Sequence, residues 1–245
     1  MISQLFHKCW ITRALNLLAA APGHSLVVLP ATRRSLELVR RLSASRPCLI
    51  TRARLFENLP ANDPILACLR TPAEIMRWSA QSASLPRTVV SIPEQIVGNG
   101  PSFELFDFAG TATFFSMLES ALMLRHAPPT FVARSILRGL AYRLDRFDAQ
   151  SAGSEAPHTL QARLLAHLDD EHQARWPDWR GGKCLAAKTP AGYEASKREH
   201  YRDLEAILRL LTRDGDARTA SGPLTMLRAF LDQSADVTSA PPSSH

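Results

Sequence analysis

The segment "SLVVLPATRRSLELVRRLSAS", residues 25–45, predicts a strand that runs directly into a helix. Residues 25–29 form a continuous apolar run of strand length. Residues 33–45 place four aliphatic side chains on one side of a helix and arginines on the other, the pattern of an amphipathic helix. The aliphatic residues are Leu36, Leu38, Val39 and Leu42. A short buried strand followed by such a helix is a building unit of layered α/β proteins.

The remaining sequence repeats this alternation of short apolar strands and helices. Strands are predicted at 48–51, 87–92, 102–108 and 129–136. Helices are predicted at 11–21, in "DPILACLR" and "PAEIMRWSAQSA", and at 113–126 and 159–175. We therefore expect an α/β fold with a mixed, largely parallel central sheet flanked by helices.

The domain organisation is predicted from changes in composition along the chain. Residues 1–182 are expected to form the α/β domain, with a polar linker at 145–158 inside it. Residues 183–234 are predicted to be a C-terminal helical extension. Residues 235–245, rich in Ser and Pro, are predicted to be a disordered tail.

The basic charge of the chain restricts its partners without identifying one. The formal net charge is +6 and the sequence pI is about 9.5. A basic surface suits nucleic acid, anionic lipid or an acidic carrier protein. Zinc-finger spacing and the aromatic signature of RNA-binding modules are both missing from the sequence, which disfavours nucleic acid.

The cysteines and the hydropathy indicate a compartment. Cys9, Cys48, Cys68 and Cys184 are far apart and form no CxxC pair, which argues against a disulfide framework and a zinc site. A reducing cytoplasm is the expected location. No apolar run approaches the ~20 residues of a membrane span. Residues 11–21 are interpreted as an amphipathic helix rather than a signal peptide.

The string "LPATRRSLEL", residues 29–38, resembles a motif of the bacterial late lipid A acyltransferases and the wider lysophospholipid acyltransferase group. In that family a strand ends in a small residue, followed by His, four residues and an acid. Ala31 and Leu38 match the family pattern, and Glu37 stands at the acid. Thr32 occupies the position of the His.

Two later segments are similar to the same family in the same order. "VVSIPEQIVGNGPSFELFDFAG", from residue 89, resembles an Asp-Gln pair followed by a glycine-rich loop. Glu94 and Gln95 stand for the pair, and Gly98 and Gly100 for the loop. "HAPPTFVAR" resembles the next family strand and ends at Arg134. The resemblance covers roughly residues 12–182 and implies a glycerolipid-acyltransferase-like fold.

The resemblance also implies a reaction, O-acyl transfer from an acyl carrier protein or CoA thioester, without metal or bound cofactor. The family's His removes the proton of an acceptor hydroxyl, and the acid orients the ring. The resemblance assigns Thr32 and Glu37 to the catalytic positions. Threonine has no basic nitrogen, and loss of a general base costs ~10²–10⁴-fold in rate. The implied substrate-binding residues are Arg33, Arg34, Glu94, Gln95, Gly98, Gly100 and Arg134.

Alternatives remain open for these residues. Thr32 is equally suited to cap a helix, and Glu37 to pair with Arg33, Arg40 or Arg41 at helical spacing. Another base could restore catalysis: Glu37 itself, or an imidazole of His7, His24 or His126. Thr32 as a nucleophile would need such a neighbour.

Two functions follow, and whether the chain is an enzyme is left open. The first is acyl transfer with altered or lost catalysis, on lipid or carrier-bound acyl groups. The second is a non-catalytic scaffold or regulator that binds an acyl group or an active homologous acyltransferase. The expected partners are an acyl carrier protein, such a homologue, or an anionic membrane surface. The expected location is the cytoplasm, including the periphery of the inner membrane; oligomeric state is not predicted.

Overall fold

The computed structural model describes residues 2–21, 24–83, 88–96, 103–136, 141–148, 156–169, 185–186 and 188–192. The chain divides into two compact units, Met1–Thr189 and Pro190–His245. The first unit contains every helix and strand given below. Of the second unit, only residues 190–192 are described, so the predicted extension and tail lie largely outside the described residues. Within the described ranges, no helix has the length and apolar character needed to cross a bilayer.

The helices and strands alternate through most of the first unit. The helices are α1 Ile2–Ala20, α2 Arg33–Ser45, α3 Pro64–Cys68, α4 Pro72–Gln81, α5 Leu118–His126 and α6 Pro157–Asp169. The strands are β1 Ser25–Val28, β2 Leu49–Thr51, β3 Leu69–Arg70, β4 Thr88–Ser91, β5 Phe103–Phe108, β6 Thr111–Ser116, β7 Thr130–Ile136 and β8 Ala141–Phe147. Short 3₁₀ turns occupy Arg54–Phe56 and Pro93–Gln95.

A six-stranded sheet in the order β3-β2-β4-β1-β7-β8 forms the centre of the fold. Its first five strands are parallel, and β8 runs antiparallel to β7. Val27 of β1 pairs with Val90 of β4 on one side and with Phe131 of β7 on the other. The predicted fold class, α/β with a mixed, largely parallel sheet flanked by helices, is confirmed.

Both faces of the sheet are buried, which explains why its central strands are apolar throughout. Val27 contacts the core cluster that contains the buried residues of α1, α2 and α3. Leu26 and Val28 contact the second cluster, which contains those of α4, α5, α6 and the hairpin β5–β6. In α2, Leu38, Val39 and Leu42 are buried as the sequence predicts. Burial of each such side chain contributes about 1.5–3 kcal/mol.

Two predicted elements are wrong in part. Residues 113–126 were expected to form one helix, but Thr111–Ser116 is a strand that pairs with β5, and α5 begins only at Leu118. The two-residue turn of Ala109 and Gly110, both at positive φ, reverses the chain before it. The linker predicted at 145–158 overlaps the end of β8 and the start of α6.

Candidate functional site

The junction of β1 and α2 places Thr32 at the N-cap of the helix. Its Oγ1 accepts a hydrogen bond from the backbone N–H of Ser35 at 3.1 Å. The hydroxyl groups of Thr32 and Ser35 also lie 2.9 Å apart, and Thr32 has no exposed surface. The interpretation of Thr32 as a helix cap is confirmed, and its hydroxyl stabilises the first turn of α2.

Glu37 lies on the outer surface of α2. Its Oε1 accepts a hydrogen bond from Nε of Arg41 at 2.9 Å, one helical turn further on. The pairing at helical spacing is therefore confirmed. An exposed pair of this kind contributes only a few tenths of a kcal/mol. The carboxylate faces solvent and Arg41, whereas the Thr32 hydroxyl is buried at the helix start.

The turn after β4 connects two neighbouring loops at the carboxyl edge of the sheet. Glu94 Oε2 accepts a hydrogen bond from the backbone N–H of Ala31 at 2.9 Å, directly before Thr32. Gln95 Oε1 accepts one from the N–H of Leu55 at 2.6 Å, in the loop after β2. Glu94 and Gln95 are both buried. The structure thus brings the first two of the three segments that resemble the acyltransferase family into contact.

The other residues predicted to bind substrate are placed less closely together. Arg33 is exposed at the start of α2. The Arg34 guanidinium lies 4.6 Å from the centre of the Tyr142 ring. Arg134, near the carboxyl end of β7, has its Nη1 3.8 Å from a carboxylate oxygen of Asp145. Gly98 and Gly100 lie outside the described residues.

A buried polar network beneath this edge was not predicted from the sequence. Ser91, the last residue of β4, donates a short hydrogen bond to Glu119 Oε1. Gln161 Nε2 donates to Glu119 Oε2 at 2.9 Å, while Gln161 Oε1 accepts from the N–H of Ser120 at 3.0 Å. These residues come from β4, α5 and α6, and all four are buried. Their separation in sequence leaves no local spacing pattern by which to find them.

A buried ammonium group lies close to the same network. Lys188 Nζ donates to the carbonyl oxygen of Pro93 at 2.7 Å and lies 3.5 Å from the centre of the Phe115 ring. Burial raises the pKa of Glu119 above its usual value. The hydrogen bonds from Ser91 and Gln161 and the positive charge of Lys188 act in the opposite direction.

The histidines considered as substitute bases lie away from Thr32. His24 precedes β1, and His126 ends α5 before β7, so both are at the amino edge of the sheet. His126 Nε2 lies 2.6 Å from the hydroxyl oxygen of Ser79. Burial, Arg125 and His24 lower the pKa of His126. The side chain of His7 lies outside the described residues.

Two open clefts also lie at the amino edge. One, of about 550 Å³, runs between the start of β7 and the end of β8. The other, of about 590 Å³, lies between the ends of α1 and α2 and includes His24 and Arg46. Neither cleft is lined by Thr32, Glu37, Glu94 or Gln95. These clefts are therefore separate from the site implied by the acyltransferase resemblance.

Comparison with known proteins adds no relative. No protein-family model matches the chain, and no curated protein matches it. Among the residues that the structure describes, no three His, Cys, Asp or Glu side chains are grouped as a metal site would require.

Proposed function

We propose that this chain is an acyltransferase-fold protein that binds lipid or carrier-bound acyl groups without transferring them. The hydrogen bond from Ala31 to Glu94 carries the proposal. It joins two of the three segments whose sequences resemble the acyltransferase motifs, at the carboxyl edge of the parallel strands. Ligands of open α/β sheets bind at this edge.

The chemistry of the junction supports binding rather than transfer. A general base must reach the acceptor proton with a nitrogen or carboxylate oxygen. Thr32 uses its hydroxyl as a helix cap, and Glu37 pairs with Arg41 on the surface. His24 and His126 are the two candidate histidines whose side chains the structure describes, and both lie at the amino edge of the sheet, opposite to Thr32. Within the described ranges, the junction therefore has no imidazole at the position of the family's His, and the neighbouring Glu94 carboxylate accepts the N–H of Ala31.

The charges along this edge favour an anionic partner. Five exposed arginines lie after or near the carboxyl ends of four different strands. They are Arg33, Arg52, Arg54, Arg70 and Arg134. Such a row of cations attracts an acidic acyl carrier protein more strongly than a neutral one and speeds its association. The same charges suit the anionic cytoplasmic leaflet of the inner membrane, where we place the protein at the periphery.

Binding is tested with lauroyl-acyl carrier protein and with the same carrier lacking the acyl chain. We expect the acylated carrier to bind more tightly, and both affinities to fall as salt is raised. Arg33→Glu should weaken binding severalfold. Arg77→Glu makes the same change of charge at an exposed position on α4 and serves as the control. Equal affinity for both carriers, or no binding at low salt, would contradict the proposal.

Transfer is tested separately by incubating labelled lauroyl-acyl carrier protein with a hydroxyl acceptor. We expect no transfer by the wild-type chain. Wild-type transfer that Glu37→Ala abolishes would show that the site is catalytic, because Glu37 would then act beyond its pairing with Arg41. The Thr32→His variant reports whether an imidazole at this position is enough to start turnover.

A further inference from the structure

Two cysteines that are distant in sequence come together at the amino ends of neighbouring strands. Cys48 directly precedes β2, and Cys68 ends α3 directly before β3. Strands β2 and β3 are parallel, and Ile50 pairs with Leu69. Both cysteines are free thiols in the structure. The fold therefore creates a thiol pair that the absence of a CxxC motif had argued against.

The order of the strands brings the two cysteines near each other. Cys48 stands directly before Leu49 and Cys68 directly before Leu69, in neighbouring parallel strands in which Ile50 is opposite Leu69. Cys68 is close enough to contribute to the raised pKa of Cys48. Neighbouring strands are about 4.8 Å apart, and disulfides span Cα distances of roughly 4.4–6.8 Å. Both side chains contact the core cluster on the α1–α3 face, so they project to the same side.

The two thiols differ in their access to solvent. Cys48 is buried, and burial raises the pKa of its thiol to about 12, with a further increase from the nearby Cys68. Arg46 acts in the opposite direction. Cys68 is only partly buried. An oxidant therefore meets Cys68 first, while Cys48 is held beside it as the second, resolving thiol.

We propose that Cys48 and Cys68 form a reversible regulatory disulfide that joins the amino ends of β2 and β3. With a low-molecular-weight disulfide as oxidant, the Cys68 thiolate attacks one oxidant sulfur and releases one thiolate. Cys48 then loses its proton and attacks the Cys68 sulfur, releasing the second thiol. The protein's two thiols lose two electrons and two protons in total, and the oxidant is reduced to two thiols.

The bond would act on the carboxyl edge through the loop that it closes. This loop contains Leu55, whose N–H is bound by Gln95, and Asp63, whose carboxylate lies 3.6 Å from Nε of Arg40. Closing it restricts the unfolded chain and holds the loop more firmly in the folded state. Oxidation is thus expected to stabilise the protein, and reduction to restore the looser form.

The experiment incubates the full chain with oxidised glutathione at pH 8, alkylates the remaining thiols and identifies the linked peptides by mass spectrometry. We expect a peptide pair joined through Cys48 and Cys68, which disappears on treatment with dithiothreitol. It should persist in Cys9→Ser and Cys184→Ser, and be lost in Cys68→Ser and Cys48→Ala. The melting temperature of the wild-type chain should rise on oxidation, and that of Cys68→Ser should not.

Two outcomes would overturn the proposal. In the first, Cys68 carries glutathione while Cys48 remains alkylatable, although the exposed Cys9 is fully modified. In the second, the only linked peptides join Cys9 or Cys184 to another chain. Cys68→Ser changes a partly exposed residue and keeps the test valid should Cys48→Ala fail to fold.

Discussion

The hydroxyl of Thr32 has a structural role that can be measured apart from any activity. It accepts the Ser35 N–H at the first turn of α2. Thr32→Val keeps the shape of the side chain but removes the acceptor, so we expect a loss of about 1 kcal/mol in the free energy of unfolding. Thr32→Ser retains the acceptor and should lose less. Urea denaturation of the three proteins measures the difference.

A catalytic rather than capping role of the Thr32 hydroxyl would give a different result in urea denaturation. If the hydroxyl were poised for chemistry rather than capping, Thr32→Val would unfold at the same urea concentration as the wild-type chain. Its effect would then be confined to acyl transfer. Equal stability of Thr32→Val and wild type therefore contradicts the capping role.

Glu119 gives the protein a pH dependence whose sign follows from its burial. Because burial raises its pKa, the folded state holds a proton that the unfolded chain releases near pH 4.5. Its stabilising contribution is complete below that pH and is lost as pH rises towards the folded-state pKa. Each unit of pKa difference corresponds to about 1.4 kcal/mol.

Glu119→Gln tests this dependence because glutamine cannot ionise. Its carbonyl oxygen can accept from Gln161, and its amide can donate to the Ser91 hydroxyl, so the network keeps its bonds. We expect the variant to gain stability relative to the wild type as pH rises from 4 to 8, measured by urea unfolding at each pH. A constant difference across this range would show that Glu119 ionises equally in both states.

Among the elements, the hairpin β5–β6 contains a turn whose first residue is poorly suited to it. Ala109 and Gly110 both have positive φ, at 54° and 69°, as a type I′ turn requires. An alanine in this region is strained by roughly 1 kcal/mol. Ala109→Asn should therefore raise the free energy of unfolding by about 0.5–1 kcal/mol.

The neighbouring position supplies the matched control. Gly110→Ala introduces the same strain at a site where a Cβ would meet no atom within 4 Å, so steric overlap does not contribute. We expect it to destabilise the protein while Ala109→Asn stabilises it, as read from thermal melting of both variants. Destabilisation by Ala109→Asn would show that another contact of Ala109, such as its N–H bond to Asp169, dominates.

The same hairpin shows where local sequence pattern is insufficient. The apolar run that begins at Thr113 fits a helix by composition, yet in its first part the half-buried Phe114 stands between the buried Thr113 and Phe115, as in a strand. This segment forms a strand because a turn precedes it and because it pairs with β5. The pairing cannot be seen in the composition of the segment itself. Helix α2 was predictable because its own periodicity matches the buried face that it presents.

At the scale of the whole molecule, the predictable part of the site is the part carried by contiguous motifs. The junction at Thr32 and the pair Glu94–Gln95 could be located from the string alone. The Ser91–Glu119–Gln161 network and the thiol pair could not, because their members are brought together only by the order of the strands and the packing of helices α5 and α6 on the sheet. Strand order depends on crossovers that leave no mark at any single residue.

Lys188 connects the end of the first unit to the centre of its sheet. Its ammonium group bonds the Pro93 carbonyl beside Glu94 and lies over Phe115. Lys188→Met keeps most of the apolar chain but leaves that buried carbonyl without this donor, which costs about 1–3 kcal/mol. We expect lower stability towards urea and faster cleavage by thermolysin, a protease that does not require lysine. Lys188→Arg keeps the charge and should be affected less.

A double-mutant cycle separates the two roles of this lysine. If its charge also stabilises the carboxylate form of Glu119, removing that ionisable group first should reduce the cost of losing the lysine. Lys188→Met introduced into Glu119→Gln is then less damaging than in the wild-type chain at pH 7, and equally damaging at pH 4, where Glu119 is protonated in both states. Simple additivity at both pH values would show that Lys188 does not stabilise the carboxylate of Glu119, because buried charges that interact do not contribute independently.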